Sequence, residues 1–271
     1  PLDGRSFQTW EVVSKTDWGG IDTDLCRHEY GSIQPNDLYV WVCPTCWYAA
    51  TSTSFNEKVD DADKQKLLGA LKPMTELKKV SDQDNIPGWV KYDLLAQTFR
   101  LLGKQERHIA EAYLRASWSA RQNGADPLND FDELQELRDS YALNITPFDF
   151  IRSKSNQEKY GGNRTFYDLE KVKRLETDLA KGKYSKKSDN LLVRYIIAQI
   201  YRKHGVNDEA SKWLIQLQKE AGHNSVIDAA VTKGLKSIEI ETSFQKKAVE
   251  AYTRAIGNGD FPEWELAVQL F

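Results

Sequence analysis

The sequence predicts an all-α fold of antiparallel helical hairpins in two lobes, preceded by a small β-containing head. Residues 1–56 are rich in β-branched and aromatic residues bounded by Gly, Pro, Asn and Asp, which is typical of short strands and turns. From Asn56 onward, apolar residues recur about every 3.6 positions, the period of an α-helix. A stretch with two glycines at 153–165 is typical of a joint. We therefore expect the head at 1–56, a first helical lobe at 57–157 and a second at 158–271.

The length and charge of the chain exclude several classes of function. With 271 residues, of which 40% are hydrophobic, the chain is large enough to bury a core without disulfides or metals. Its 37 Lys and Arg residues are balanced by 40 Asp and Glu residues, so no excess of positive charge favours a nucleic-acid backbone. No apolar run approaches the ~20 residues that cross a bilayer. We expect neither a nucleic-acid partner nor a membrane span.

One predicted strand of the head is apolar on both faces. Val40 and Val42 alternate with Tyr39 and Trp41, so both faces of this strand carry large apolar side chains. One of these faces must therefore be covered by something other than the strand's own hairpin. We expect the helices that follow to provide the cover.

About nine helices are predicted after the head. Pro73 breaks or kinks the first helix because proline cannot donate the interior hydrogen bond. Gly103 and Gly124 close the next two, which form a helical hairpin. The predicted helices span residues 59–79, 89–103, 106–122, a segment from 130 or 132 to 142, and 166–182, 191–204, 208–221, 226–242 and 244–257.

The clearest internal repeat has the residue spacing of a tetratricopeptide unit. Small residues at Ala198 and Ala210 allow two helices to approach closely. Tyr201 and Leu214 fill the space between these helices, and Gly205 makes the turn. This spacing predicts a tetratricopeptide-like hairpin.

Two further units match the same spacing less well. One pairs a helix at 231–244 with a second helix that carries Ala248, Tyr252 and Ala255. The other lies at 95–116. Three imperfect units favour two helical lobes over one long superhelix, and a generic helical bundle remains the alternative.

The three cysteines allow three interpretations. Cys43 and Cys46 have the spacing of a zinc knuckle, and Cys26 with His28 or an Asp would supply further ligands. Against zinc, Trp47 stands where such turns usually have Gly to reach a left-handed conformation. The Cys-x-x-Cys pair could also be a redox dithiol, although it lacks a βαβ context. The third interpretation is a structural disulfide between two cysteines, or three buried thiols.

The sequence contains no pattern typical of an enzyme. A nucleophile elbow, a phosphate-binding glycine loop and a His-Glu-x-x-His motif are all missing. The four histidines are scattered, and we interpret each as structural or solvent-facing. We therefore predict no catalytic residue, no small-molecule substrate and no cofactor, with zinc as the alternative.

Tryptophans concentrate in the head and are the candidate partner surface. The head is small relative to the number of its indole rings, and exposed Trp residues anchor many protein contacts. Packing of the rings against the helices is the competing explanation. The candidate residues are Trp10, Trp18, Trp41 and Trp47.

Three segments together resemble an uncharacterised bacterial family with a cysteine-bearing head and tetratricopeptide-like helices. They are WGGIDTDLC at 18–26, YVWVCPTCWY at 39–48 and YLRASW at 113–118. The resemblance implies that an earlier Cys-Pro-x-Cys-Gly turn pairs with the later one. Residues 1–4 resemble a relic of that turn in which Asp3 replaces a cysteine, so the resemblance implies an eroded metal site.

In size, helical content and divergent head, the whole chain further resembles the flagellar coiling proteins of Leptospira-type spirochaetes. This resemblance implies a periplasmic, non-catalytic protein of the flagellar filament sheath that binds the flagellin core and other sheath proteins. It would thereby promote filament coiling and motility. Because the first residue is Pro1 and not Met, we expect that proteolytic processing or the choice of expressed segment produced this N-terminus. A zinc- or thiol-dependent module joined to a helical protein-interaction domain is the alternative.

Overall fold

The computed structural model describes residues 2–9, 18–21, 26–29, 35–73, 86–122, 169–222 and 224–261. Within these ranges the chain is mostly helical, with short antiparallel strand pairs near the N-terminus. The prediction of a mostly helical chain with a small β-containing head is confirmed. The elements are β1 (Trp18–Ile21), β2 (Arg27–Glu29), a 3-10 helix (Pro35–Leu38), β3 (Val40–Val42), β4 (Ala49–Thr51), α1 (Asp61–Leu67), α2 (Gly88–Leu101), α3 (Glu106–Gln122), α4 (Leu169–Ala180), α5 (Lys187–Lys203), α6 (Asn207–Ala221) and α7 (Ser225–Asn258).

The chain forms two compact units. Unit 1 comprises Pro1–Thr16, Ile33–Ala120 and Ile240–Phe271, and unit 2 comprises Asp17–Ser32 and Arg121–Glu239. Each unit has its own hydrophobic core. The predicted joint at 153–165 and the predicted helix starting near 130 lie outside the described residues. The division into a head and two lobes therefore stays a prediction. None of the helices in the described ranges has the length and apolar character that a membrane crossing requires.

The β3–β4 hairpin lies in the core of unit 1. Val40 pairs with Thr51, and Val42 pairs with Ala49. Val40 and Val42 are fully buried, and they share their core with buried residues of α2. The expectation that helices cover the strand is therefore confirmed for the face that carries Val40 and Val42.

The last part of α7 completes the core of unit 1. Phe244 is fully buried, and its ring centroid lies 6.1 Å from those of Trp89 in α2 and Tyr113 in α3. Beyond the end of α7, Asp260 Oδ2 accepts a hydrogen bond of 2.9 Å from the backbone N–H of Glu106. This carboxylate satisfies one of the backbone donors that every helix leaves open at its first turn. Residues more than 130 positions apart therefore belong to one folding unit.

The α5–α6 hairpin forms much of the core of unit 2. Ala198, Ala210 and Leu214 are fully buried, in keeping with the small-residue contact that the spacing predicted. Gly205 makes the turn at a φ of +70°. The backbone N–H of the next residue, Val206, donates to the carbonyl of Tyr201 and closes the end of α5.

Two predicted helix boundaries were wrong. The first helix ends at Leu67 and not at Pro73, because Gly69 takes a left-handed φ of +82° just beyond it. The predicted helices at 226–242 and 244–257 form one continuous helix of 34 residues, α7. Residues 235–256 contain neither Gly nor Pro, so nothing in the local sequence interrupts the helix. The repeat unit that paired 231–244 with the following helix is therefore also wrong.

We predict that Gly205→Ala destabilises the protein more than Gly182→Ala does. Both glycines end a helix of unit 2 with the same backbone hydrogen-bond pattern and a φ of +70°. An added Cβ at Gly182 meets open space, whereas at Gly205 it would lie 2.6 Å from the guanidinium of buried Arg121. Left-handed strain alone costs about 1–2 kcal/mol, and overpacking adds about 1 kcal/mol or more. Urea unfolding measures both changes, and equal losses of stability would show that the contact with Arg121 is unimportant.

Candidate functional site

The turn between β3 and β4 carries two cysteines in a compact backbone loop. The N–H of Trp47 donates to the carbonyl of Cys43 at 2.9 Å, and the N–H of Cys43 donates to the carbonyl of Tyr48 at 2.9 Å. Trp47 has a φ of +62°, a left-handed conformation that is uncommon for residues other than Gly. A tryptophan at this position weighed against a zinc knuckle at the level of sequence. The backbone nevertheless adopts the conformation that glycine would supply.

Asp3 joins the two cysteines from the N-terminal segment. Both of its carboxylate oxygens lie 3.8 Å from Cys43 Sγ. One ligand atom each from Asp3, Cys43 and Cys46 forms a group whose members all lie within 4.8 Å of one another. Asp3 is followed by Gly4, which has a φ of +71°, just as Cys46 is followed by left-handed Trp47. We call these three residues the Asp3–Cys43–Cys46 cluster.

The two thiols of the cluster differ in their tendency to ionise. The Cys46 side chain donates a hydrogen bond that lowers the pKa of Cys43 to about 6, although burial opposes this shift. The same hydrogen bond, followed by burial, raises the pKa of Cys46. The pair therefore holds one proton near neutral pH. The hydrogen bond to Asp3 uses Cys43 as a thiol donor, whereas the hydrogen bond from Cys46 favours Cys43 as a thiolate acceptor.

Cys26, the third predicted ligand, lies in unit 2. It is fully buried, and Gln122 Nε2 lies 3.6 Å from its sulfur. None of the three cysteines, all of which the structure describes, forms a disulfide bond. The structure thus brings Cys43 and Cys46 together and adds Asp3. The sequence indicated Asp3 only through a family resemblance, since no spacing rule links residue 3 to residue 43.

Two of the four candidate tryptophans pack partly against the core of unit 1. Trp41 and Trp47 are half-buried there. The ring centroid of Trp41 lies 5.9 Å from that of Phe55, and Trp41 Nε1 is buried without a hydrogen-bond partner in the described part of the chain. Trp10 lies outside the described residues, and for Trp18 only the backbone, in β1, is described. A partner-binding role for these residues stays a prediction.

A groove of about 710 Å³ lies next to the cluster. Leu2 and Gly4, the neighbours of Asp3, line the groove together with the aromatic rings of Phe7, Trp41 and Phe55. Phe7 and Phe55 meet edge to face with their ring centroids 5.5 Å apart. The N-terminal segment is therefore held against the hairpin by an aromatic contact as well as by the cluster.

We predict that the thiolate of Cys43 forms with a midpoint near pH 6 in metal-free protein. Cys46→Ala removes the side-chain hydrogen bond, which is the largest cause of the lowered pKa of Cys43. Burial and the charge of Asp3 still raise this pKa, and the backbone N–H groups of residues 45 and 46 still lower it, so the midpoint should rise toward that of an ordinary thiol. The ultraviolet absorbance of the thiolate measures both midpoints, with Cys26→Ser as the matched control. No thiolate signal below about pH 8 in the unmodified protein would contradict the prediction.

Comparison with known proteins places the chain in a family without assigning it an activity. No curated protein and no solved structure matches it. Residues 1–233 match the model of the family described as "Uncharacterized protein conserved in bacteria (DUF2225)". This match covers most of the chain and confirms the expected resemblance to an uncharacterised bacterial family. The protein therefore belongs to the DUF2225 family.

Proposed function

We propose that this protein is a non-catalytic structural scaffold in the sheath of the periplasmic flagellar filament of a spirochaete. In this role it binds the flagellin core and other sheath proteins, and it promotes the filament coiling on which motility depends. The whole-chain resemblance described above supports the assignment to the sheath. The mostly helical architecture supports the wider role of a scaffold, because paired helices present broad faces to other proteins.

The finer architecture that goes with this role is a pair of lobes built from tetratricopeptide-like hairpins. The α5–α6 hairpin supports it most directly. Fully buried Ala198 and Ala210 are small enough to let the two helices approach closely, and left-handed Gly205 makes the turn.

The observation that carries the binding role is an exposed apolar face on α7. Val249 is 65% exposed and Ile256 is 48% exposed. These residues are seven positions apart, so they lie two helical turns apart on the same face. Half-buried Tyr252 lies between them in sequence. Burying these side chains against another protein would remove apolar surface from water, which is the main driving force of association.

A buried carboxylate in unit 1 also serves helix packing. Asp93 is 2% exposed, and its oxygens accept a hydrogen bond from Gln97 at 2.7 Å and contact Lys247 Nζ at 3.4 Å. The contact with Lys247 joins α2 to α7. A buried acid held in this way stabilises the helical body, which supports a structural role for it.

A zinc- or thiol-dependent module with a helical protein-interaction domain is the second candidate function. The Asp3–Cys43–Cys46 cluster favours it, because thiolate and carboxylate groups are metal ligands and a thiolate is also a nucleophile. Elemental analysis of the purified protein together with a free-thiol count separates the two candidates. Stoichiometric zinc, or a reactive dithiol, would favour the module.

We predict that deleting the gene leaves cells alive but straightens their filaments and reduces motility. Isolated flagella with and without the protein are compared by electron microscopy, and motility is scored in soft agar. A complementing copy of the gene should restore both properties. Unchanged filament shape in the deletion strain would reject the sheath proposal.

We further predict that the double variant Val249→Glu and Ile256→Glu fails to restore filament coiling. Both positions are exposed, so the added charges leave the fold intact while opposing burial of this face by a partner. Ser243→Glu is the matched control, because it adds a charge at an exposed position of α7 about 120° around the helix. Circular dichroism verifies folding of each variant. Normal coiling with the double variant would exclude this face as the docking surface.

A further inference from the structure

We infer that Asp3, Cys43 and Cys46 together bind one divalent cation of the zinc class, which fastens the N-terminal segment to the β3–β4 hairpin. This inference does not rest on the sheath proposal. It concerns a bound metal and its three ligands, whereas the sheath proposal concerns the faces of the helices.

The distances between the three side chains fit a tetrahedral ion. Zinc lies 2.3 Å from a thiolate sulfur and 2.0–2.2 Å from a carboxylate oxygen, so its ligand atoms are roughly 3.5–3.8 Å apart. The separation of 3.8 Å between Cys43 Sγ and each oxygen of Asp3 already has this value. The widest separation in the cluster is at most 4.8 Å, so adjustments of about 1 Å would bring all three atoms onto one ion.

The kinds of ligand select the metal. Two thiolates with one carboxylate suit zinc, whereas oxygen-only sites suit magnesium or calcium. Three protein ligands leave a fourth position on a tetrahedral ion, which water or a further donor completes. The charge also fits, because a dication offsets the repulsion between the carboxylate and the two thiolates.

The two turns support the ligands in matching ways. Cys46 is followed by Trp47 at a φ of +62°, and Asp3 is followed by Gly4 at a φ of +71°. In the sequence, Pro1 stands two residues before Asp3, and Pro44 stands two residues before Cys46. Asp3 thus occupies a position in its turn that is equivalent to the position of Cys46 in the other turn.

A bound metal would attach the N-terminal segment to the rest of unit 1 at one further point. Residues 2–9 form neither helix nor strand, and they are held by buried Leu2 and by the contact between Phe7 and Phe55. A metal bound to Asp3 and Cys43 links positions that are 40 residues apart in the sequence. Binding free energy at such a site adds to the free energy of unfolding of the folded protein.

Titration of the reduced, metal-free protein with Co²⁺ tests the inference. We expect the charge-transfer and ligand-field bands of a tetrahedral cobalt thiolate, at one ion per chain, with displacement by Zn²⁺. Asp3→Ala should weaken binding at least about tenfold. Asp3→Cys should strengthen it by a similar factor, because a third thiolate replaces the carboxylate. Cys43→Ser should abolish the bands, and Cys26→Ser should leave them unchanged.

The Asp3 variants keep the test decisive if the Cys43 variant fails to fold. Zn²⁺ should also raise the unfolding temperature of the unmodified protein more than that of Asp3→Ala. Failure to form tetrahedral bands in reduced protein would overturn the inference, as would equal affinities in the unmodified protein and both Asp3 variants. Bands that depend on Cys26 would also overturn it. Filament shape is measured in a separate experiment, so failure of the metal inference and failure of the sheath proposal remain distinguishable.

Discussion

A strand that is apolar on both faces is the constraint on which unit 1 depends. Val40 and Thr51 line a small pocket together with Tyr92 and Leu95 of α2, so one face of the hairpin packs against this helix. Trp41 lies on the opposite face and contacts Phe55. A strand alternates its side chains between two faces, so each face requires its own cover. Helix α2 covers one face. Phe55, together with Phe7 of the N-terminal segment, covers the other face.

The cover over the second face of the strand also explains the position of the Asp3–Cys43–Cys46 cluster. Because Phe7 packs on Phe55, the N-terminal segment lies along the hairpin, and Asp3 reaches the turn that carries Cys43. The left-handed conformation of Trp47 costs about 1–2 kcal/mol and persists only where the surroundings hold it. The partial burial of its indole against the core of unit 1 opposes that cost. The turn that we propose as a metal site and a hydrophobic anchor are thereby combined at adjacent residues, Cys46 and Trp47.

The helical body and the thiol cluster suggest complementary roles. In our proposal the helices provide the faces that bind other sheath proteins, and the cluster stabilises the segment that covers the hairpin. The periplasmic location that belongs to the sheath proposal is oxidising, and unprotected vicinal thiols tend to form disulfides there. A bound metal would keep Cys43 and Cys46 in their thiolate form. The metal would therefore preserve the structure of the head without taking part in any reaction.

The sequence by itself determined most of the local structure. The helical period predicted α2 to within one or two residues at each end and α3 at both ends, and the glycines at 103, 182 and 205 close their helices with left-handed φ angles. Only the tertiary structure decided that α7 is continuous, that Phe244 completes the core of unit 1 and that Asp3 lies against Cys43. Local periodicity identifies which face of a helix is apolar, but not which distant face will cover it. Core and cluster contacts join residues far apart in sequence, so side-chain packing across the folded unit determines them.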